Sequence, residues 1–312
     1  MKKVLLAVAT LMLSFGIASA QDMAQATETY NNGATALSMG DKAGALQYFQ
    51  SALKMGETIG EEAKELVTNC KNAIPGIILS IGKEAFNGQK FDEALAKFQE
   101  AQKAATDYKV EDVLAECKEL IPQVAIQKDL FDANNAYEAK NMKAAIDGFK
   151  KVLAADSTNS VASIRIIQSL AAVGMVDEAK EFMPLAELNG QGSNASKVLG
   201  ISFLKSAAAA LKAKQFDKAI ANALDANDYI QNPQTYLIAG QASTKLNKTA
   251  DAIKYFEKYL EGAPTAKNAG AIALTVGALY QGQKNNAKAI EFYKLAKEKG
   301  QDTQKYIDAL SK

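Results

Sequence analysis

Apolar residues recur at helical spacing along most of the chain, in paired runs separated by short polar breaks. The stretch Gly82–Ala101, GKEAFNGQKFDEALAKFQEA, shows the unit most clearly. Phe86 closes one run, Asn87-Gly88 interrupts it, and Ala94, Leu95, Phe98 and Ala101 form the stripe of a second. Asn-Gly marks a turn, because both residues tolerate the left-handed conformation that ends a helix. The unit therefore predicts two antiparallel helices joined by a short turn. Its markers are a Gly, an Ala twelve residues later and an aromatic four beyond that. They recur as Gly33/Ala45/Phe49, Gly82/Ala94/Phe98, Gly240/Ala252/Phe256 and Gly277/Ala289/Tyr293, and Leu or Ile follows each Ala. Three looser units fill the gaps: Ala133/Ala145/Phe149, Ile167/Ala179/Met183 and Ala207/Ala219/Ala223.

This spacing resembles the tetratricopeptide (TPR) repeat and covers nearly all of the chain after residue 20. The resemblance implies an all-α fold, an α–α superhelix built as a right-handed solenoid of about seven helical hairpins with a C-terminal capping helix. Small Gly and Ala residues let the two helices of a unit approach closely, and the aromatic is expected to fill the gap to the next helix.

Taken in order, the chain predicts a first helix over roughly Thr27–Met39 and a second from Asp41, a plausible N-cap, to Lys54. The marker alanines 45, 94 and 145 are then spaced by 49 and 51 residues, against about 34 in an ordinary TPR. The inserted segments match one another: Leu66-Val67-x-x-Cys70-Lys71-x-x-Ile74-Pro75 aligns with Val113-Leu114-x-x-Cys117-Lys118-x-x-Ile121-Pro122. Each reads as an amphipathic helix that stops or kinks near Ile74 or Ile121, with the proline in the first turn of the next helix. The N-terminal hairpins are thus expected to be elongated. Asn141 marks the turn of the third unit. Pro184 falls inside the expected second helix of the fourth, and Asn189–Asn194 is the most hinge-like stretch. This suggests an N-terminal array over 21–188 and a C-terminal array over 195–312. Pro264 lies between repeats, and Thr303–Leu310 reads as a capping helix.

Composition changes the picture in three places. Lys2 and Lys3, the apolar run Val4–Ile17 and Ala18-Ser19-Ala20 together predict a bacterial signal peptide over 1–20, cleaved before Gln21. The expected localisation is periplasmic or secreted, with no integral membrane span after cleavage. A formal net charge of +1, one arginine and no basic run argue against nucleic acid as partner. The chain has no histidine, so neither Cys70 nor Cys117 has the usual base for thiol catalysis. Two cysteines also make a thin metal site, and no cofactor is expected. They could be buried free thiols or a disulfide. Matching positions on stacked helices lie roughly 9–10 Å apart, whereas a disulfide wants Cα atoms within about 7 Å. Carboxylate pairs such as Glu61-Glu62 and Glu111-Asp112 suit helix starts better than acid–base chemistry.

The family resemblance implies a non-enzymatic scaffold that accepts a peptide or protein partner in a groove lined by the first helix of each repeat. An assembly factor or chaperone holding unfolded envelope proteins is the alternative, and an apolar lining would favour it. Registering each unit on its alanine places Tyr30, Leu79, Lys83, Phe86, Asn134, Tyr137, Arg165, Gln168 and Gln241 as partner-binding candidates. The Lys/Asn carboxylate clamp of one TPR subfamily is not reproduced. Tyr137 and Arg165 are expected side by side, an aromatic beside the sole arginine.

Overall fold

A computed structural model describes residues 19–311; the expected signal peptide, apart from Ser19 and Ala20, lies outside the described residues. Those described form α-helices, one 3-10 turn at Glu61–Ala63 and no strand. The all-α fold read from the sequence is the fold observed. The helices are α1 (Ser19–Ser38), α2 (Lys42–Ile59), α3 (Lys64–Asn87), α4 (Phe91–Tyr108), α5 (Glu111–Glu138), α6 (Met142–Ala155), α7 (Ser160–Ala172) and α8 (Val176–Glu181). They continue with α9 (Met183–Leu188), α10 (Gly192–Lys212), α11 (Phe216–Tyr229), α12 (Gln234–Lys245), α13 (Thr249–Gly262), α14 (Ala269–Gly282), α15 (Asn286–Glu298) and α16 (Gln304–Leu310).

By their contacts the residues divide into two compact units, one ending at Asp132 and the other beginning at Ala133, so the division falls within α5. Of the stretch 189–194, expected to separate two arrays, 189–191 form a tight turn inside the second unit and 192–194 already belong to α10. There α9 and α10 pack on each other and both pack on α7.

Seven hairpin turns share one construction, keyed to the marker alanine. Five residues before it the backbone is left-handed: Gly40, Gln89, Lys140, Gly174, Lys214, Asn247 and Lys284 all have φ between 56° and 85°. The next residue donates its N–H back across the turn, as in Asp41 to Ala36 (2.9 Å), Gln215 to Ala210 (2.9 Å) and Asn285 to Tyr280 (3.0 Å). That pairing closes the exposed end of the first helix. The same residue then opens the second helix, accepting from the marker alanine N–H; Asp41 accepts from Ala45 at 2.9 Å. Asp41, Asn141 and Asn285 also cap with their side chains, onto Gly44 (2.8 Å), Ala144 (3.3 Å) and Lys288 (3.2 Å). The break expected at Asn87-Gly88 is therefore placed one residue late, since Gly88 has φ −81° and Gln89 takes the left-handed position.

Inside each hairpin the aromatic lies over the glycine of its own unit. A methyl carbon on Gly82 would sit 2.6 Å from the Phe98 ring, on Gly240 2.6 Å from Phe256, on Gly277 2.7 Å from Tyr293, and on Gly33 3.3 Å from Phe49. The ring thus packs within its own hairpin, where the sequence suggested a gap to the next. Ala45, Ala94, Ala145, Ala252 and Ala289 are wholly buried.

Pro75 and Pro122 do not stop their helices. Each lies inside one continuous helix, α3 or α5, which is why these hairpins are long. A proline in a helix interior loses one hydrogen bond and crowds the preceding turn. In α3 this is borne by a segment whose Leu66, Cys70, Ile74, Ile77 and Ile78 are all buried in one core. Pro184 has the disruptive effect expected of it, splitting the fourth unit's second helix into α8 and α9. At the C-terminus α16 covers the last hairpin: Tyr306 stacks on Tyr293 at 5.1 Å, Ile307 is buried, and Thr303 Oγ1 donates to the Tyr293 carbonyl at 2.6 Å.

Candidate functional site

The nine positions proposed from sequence separate into distinct environments. Tyr30 and Leu79 do not line an open surface. Tyr30 is 5% exposed, packs edge-on against Phe49 at 5.1 Å and has its hydroxyl pKa raised, first by burial and then by Cys70. Leu79 is 3% exposed in the same core. Both face inward because α1 and α3 each pack against α2, so their apolar faces have neighbours on more than one side. Lys83 is half-buried and pairs with Glu116 at 2.6 Å. Phe86 starts an aromatic chain, 5.8 Å from Phe91, which is in turn 5.3 Å from Phe131. Asn134 is half-buried on α5, and Gln241 is exposed on α12.

Tyr137, Arg165 and Gln168 come together in the second unit. The Arg165 guanidinium lies 4.4 Å above the Tyr137 ring, and its Nη2 is 3.6 Å from Glu138 Oε1. The stacking contributes about 0.5–2 kcal/mol. The carboxylate contact is long and Glu138 largely solvated, so it adds little. Arg165 is thereby committed to holding the tyrosine, rather than standing free to grip a ligand carboxylate.

Beside this pair opens a cleft of about 590 Å³. Its walls include Tyr137 and Gln168, but not Arg165, with Ser202, Lys205 and Ser206 from α10 opposite. Small residues, Ala171, Ala172, Gly174 and Ala209, leave the room. Gln168 Oε1 is buried and accepts no hydrogen bond from the described residues. Such an acceptor costs about 1–3 kcal/mol unless something donates to it.

A second cleft, of about 730 Å³, lies further along the same unit. Leu211, Phe216, Phe256 and Ile272 give it an apolar floor. Lys212, Lys214 and Lys245 stand at its rim beside Gln241. Of these the sequence singled out Gln241 as a partner-binding candidate and Phe256 only as a packing residue. A legible signal existed, because Lys212 and Lys245 both lie seven residues before a marker alanine in consecutive units.

The cysteines offer no reactive centre. Both are free and fully buried. Burial pushes the Cys70 thiol up to about 12, and burial followed by the Glu116 charge raises Cys117. A thiol so shifted is almost wholly protonated at neutral pH and a poor nucleophile. Among the described residues no cluster of three or more potential metal ligands occurs, and no helix is long and apolar enough to cross a membrane.

Comparison with known proteins adds little to this geometry. No protein-family model matches the chain, and no curated protein does. Solved structures match parts of it. MamA is 20% identical, covering 58% of this chain and 94% of that one at a TM-score of 0.34. Pseudomonas aeruginosa PilF is 18% identical, with 58% and 79% covered and a TM-score of 0.27. YrrB, described as a TPR protein with an unusual peptide-binding site, is 19% identical, with 58% and 89% covered and a TM-score of 0.31. At these scores the likenesses assign neither family nor function.

Proposed function

We propose that this chain is a non-enzymatic peptide-binding scaffold of the TPR type, exported to the bacterial envelope, and that it takes an extended segment of a partner protein in the Tyr137/Gln168 cleft. The observation that carries the reading is Gln168: a buried acceptor without a partner among the described residues, set in the wall of an open, partly polar cleft. A main-chain N–H of a bound segment is the donor such a group needs, while the hydroxyls of Ser202 and Ser206 and the Lys205 ammonium can meet backbone carbonyls. The stacked Arg165 fixes the Tyr137 ring in advance, which lowers the entropy lost on binding. The polar groups fixed in its walls, Gln168, Ser202, Lys205 and Ser206, suit the main chain of a defined peptide better than the unspecific holding of unfolded chains. Export rests on the Lys-apolar-Ala-Ser-Ala order of residues 1–20.

The test is capture on an array of short peptides. Wild-type protein is expected to retain a subset, and Gln168→Leu to lose about 1–3 kcal/mol of that affinity, with circular dichroism and melting unchanged or improved. Capture equal to wild type would place binding outside this cleft. Intact mass of protein recovered from the producing cell's envelope is expected to correspond to a chain starting at Gln21; a retained Met1 would sink the export reading.

A further inference from the structure

The apolar cleft with the lysine rim has a composition the Gln168 cleft lacks. Three ammonium groups, Lys212, Lys214 and Lys245, border it, and among the described residues no Asp or Glu does. All three are exposed, and no ion pair among the described residues engages them. Acids close in sequence are occupied elsewhere: Asp217 pairs with Lys248 at 2.9 Å, and Glu257 accepts from the Tyr280 hydroxyl at 2.7 Å. A lysine in the last turn of a helix is favourable for the helix itself, which accounts for Lys212 in α10 and Lys245 in α12 taken singly. It does not account for Lys214, which holds the left-handed turn position at φ 61° and lines the same space.

Resting on the scaffold reading, we propose that this cleft is a second docking site, specific for an extended acidic segment of a protein partner whose apolar side chain inserts between its carboxylates. Charge complementarity sets the sign of the partner, and the floor of Leu211, Phe216, Phe256 and Ile272 sets its apolar anchor. Spacing sets its form. Lys212 and Lys245 end two helices that touch each other, α10 and α12, at matching places in consecutive units. Touching helices lie about 8–10 Å apart, which is roughly three residues of extended chain. Only every second residue of an extended chain faces the same side, so two carboxylates four residues apart with an apolar residue midway present all three groups to the cleft. The flexible lysine stems take up the roughly 3–5 Å between that span and the helix separation, and both lysines are met at once. A single-headed amphiphile meets only one.

The experiment uses the full-length mature chain and a labelled extended peptide carrying a leucine between two glutamates at that spacing, its glutamine counterpart, and dodecanoate as competitor. The glutamate peptide is expected to bind about tenfold tighter than the glutamine peptide at low salt, and the gap to close as salt is added. The double variant Lys212→Glu/Lys245→Glu, both changes at exposed positions, is expected to abolish that preference and to favour a lysine peptide instead. Gln168→Leu is expected to leave it intact. Equal binding of the two peptides, no binding of either, or lysine-dependent binding of dodecanoate in place of the peptide would each overturn the proposal. If these occur while array capture still depends on Gln168, the scaffold reading stands and only the acidic docking site falls.

Discussion

At each hairpin crossing one small volume is shared between two positions sixteen residues apart. Where the first is Gly, the second is an aromatic ring lying on its Cα, as with Gly82 and Phe98. Where the first is Ala207, the second has shrunk to Ala223, and Ile167 is matched by the flexible Met183; all four are buried. The third unit breaks the exchange, keeping Phe149 opposite Ala133. Its extra methyl is admitted because the residue before the ring is Gly148: a methyl carbon there would sit 2.7 Å from Ala133 Cβ. Gly148→Ala is therefore expected to cost about 1–3 kcal/mol, as overpacking does. Adding Ala133→Gly should return part of that loss, even though glycine in a helix costs about 1 kcal/mol by itself. Thermal or urea unfolding of the two single variants and the double variant measures the coupling. Additive losses would show that the two positions do not share space.

Among the elements, the turns are the most regular feature and the least regular in sequence. The same left-handed position is filled by Gly twice, Lys three times, Gln once and Asn once. Side chains other than Gly and Asn are strained there by about 1–2 kcal/mol, so the neighbouring bonds and caps must hold the conformation. Lys284→Gly is expected to stabilise the protein by about 0.5–1 kcal/mol, the relief being reduced by glycine's greater freedom in the unfolded chain. Gly174→Ala, at φ 80°, should destabilise by a similar amount. Melting temperatures of both variants decide it, and a loss on Lys284→Gly would mean that the lysine side chain contributes more than its backbone costs. Prolines tell the opposite story. Pro184 divides a helix, whereas Pro75 is carried through one, because its flanking residues are buried on the core face of α3.

For the molecule as a whole, the displaced titrations lie mostly on the alkaline side. There is no histidine, the side chain that ordinarily titrates near neutrality. Cys70 and Tyr280 are both pushed up to about 12, the first by burial and the second by burial and then its bond to Glu257. Each is neutral when protonated, and its folded pKa lies above the unfolded one. Its stabilisation is thus complete below the unfolded pKa and is lost as pH rises through the folded value. For Cys70 that window runs from 9.0 to about 12. Melting temperature should therefore fall above pH 9, and Cys70→Ala should make that fall shallower while lowering stability at pH 7. Parallel alkaline limbs for variant and wild type would assign the loss to other groups.

The sequence by itself determined the helical class, the seven hairpins and the elongation of the early ones, because these follow from spacing along the chain. A Gly or an Ala at fixed separation from a ring reports a crossing, and a one-residue register is enough to read it. The Asp41 cap and the final helix were legible for the same reason. Tertiary structure decided what spacing cannot express. Tyr30 and Leu79 occupy first-helix positions like Tyr137, yet they are buried, since exposure depends on how many neighbouring helices cover a face. Arg165 was legible beside Tyr137, but its commitment to that ring is a matter of distance in space. The lysine-rimmed cleft collects residues from five helices and turns, more than sixty positions from first to last. Its lysines were ordinary helix ends in the sequence, and only the packing of α10 against α12 gave them a common wall.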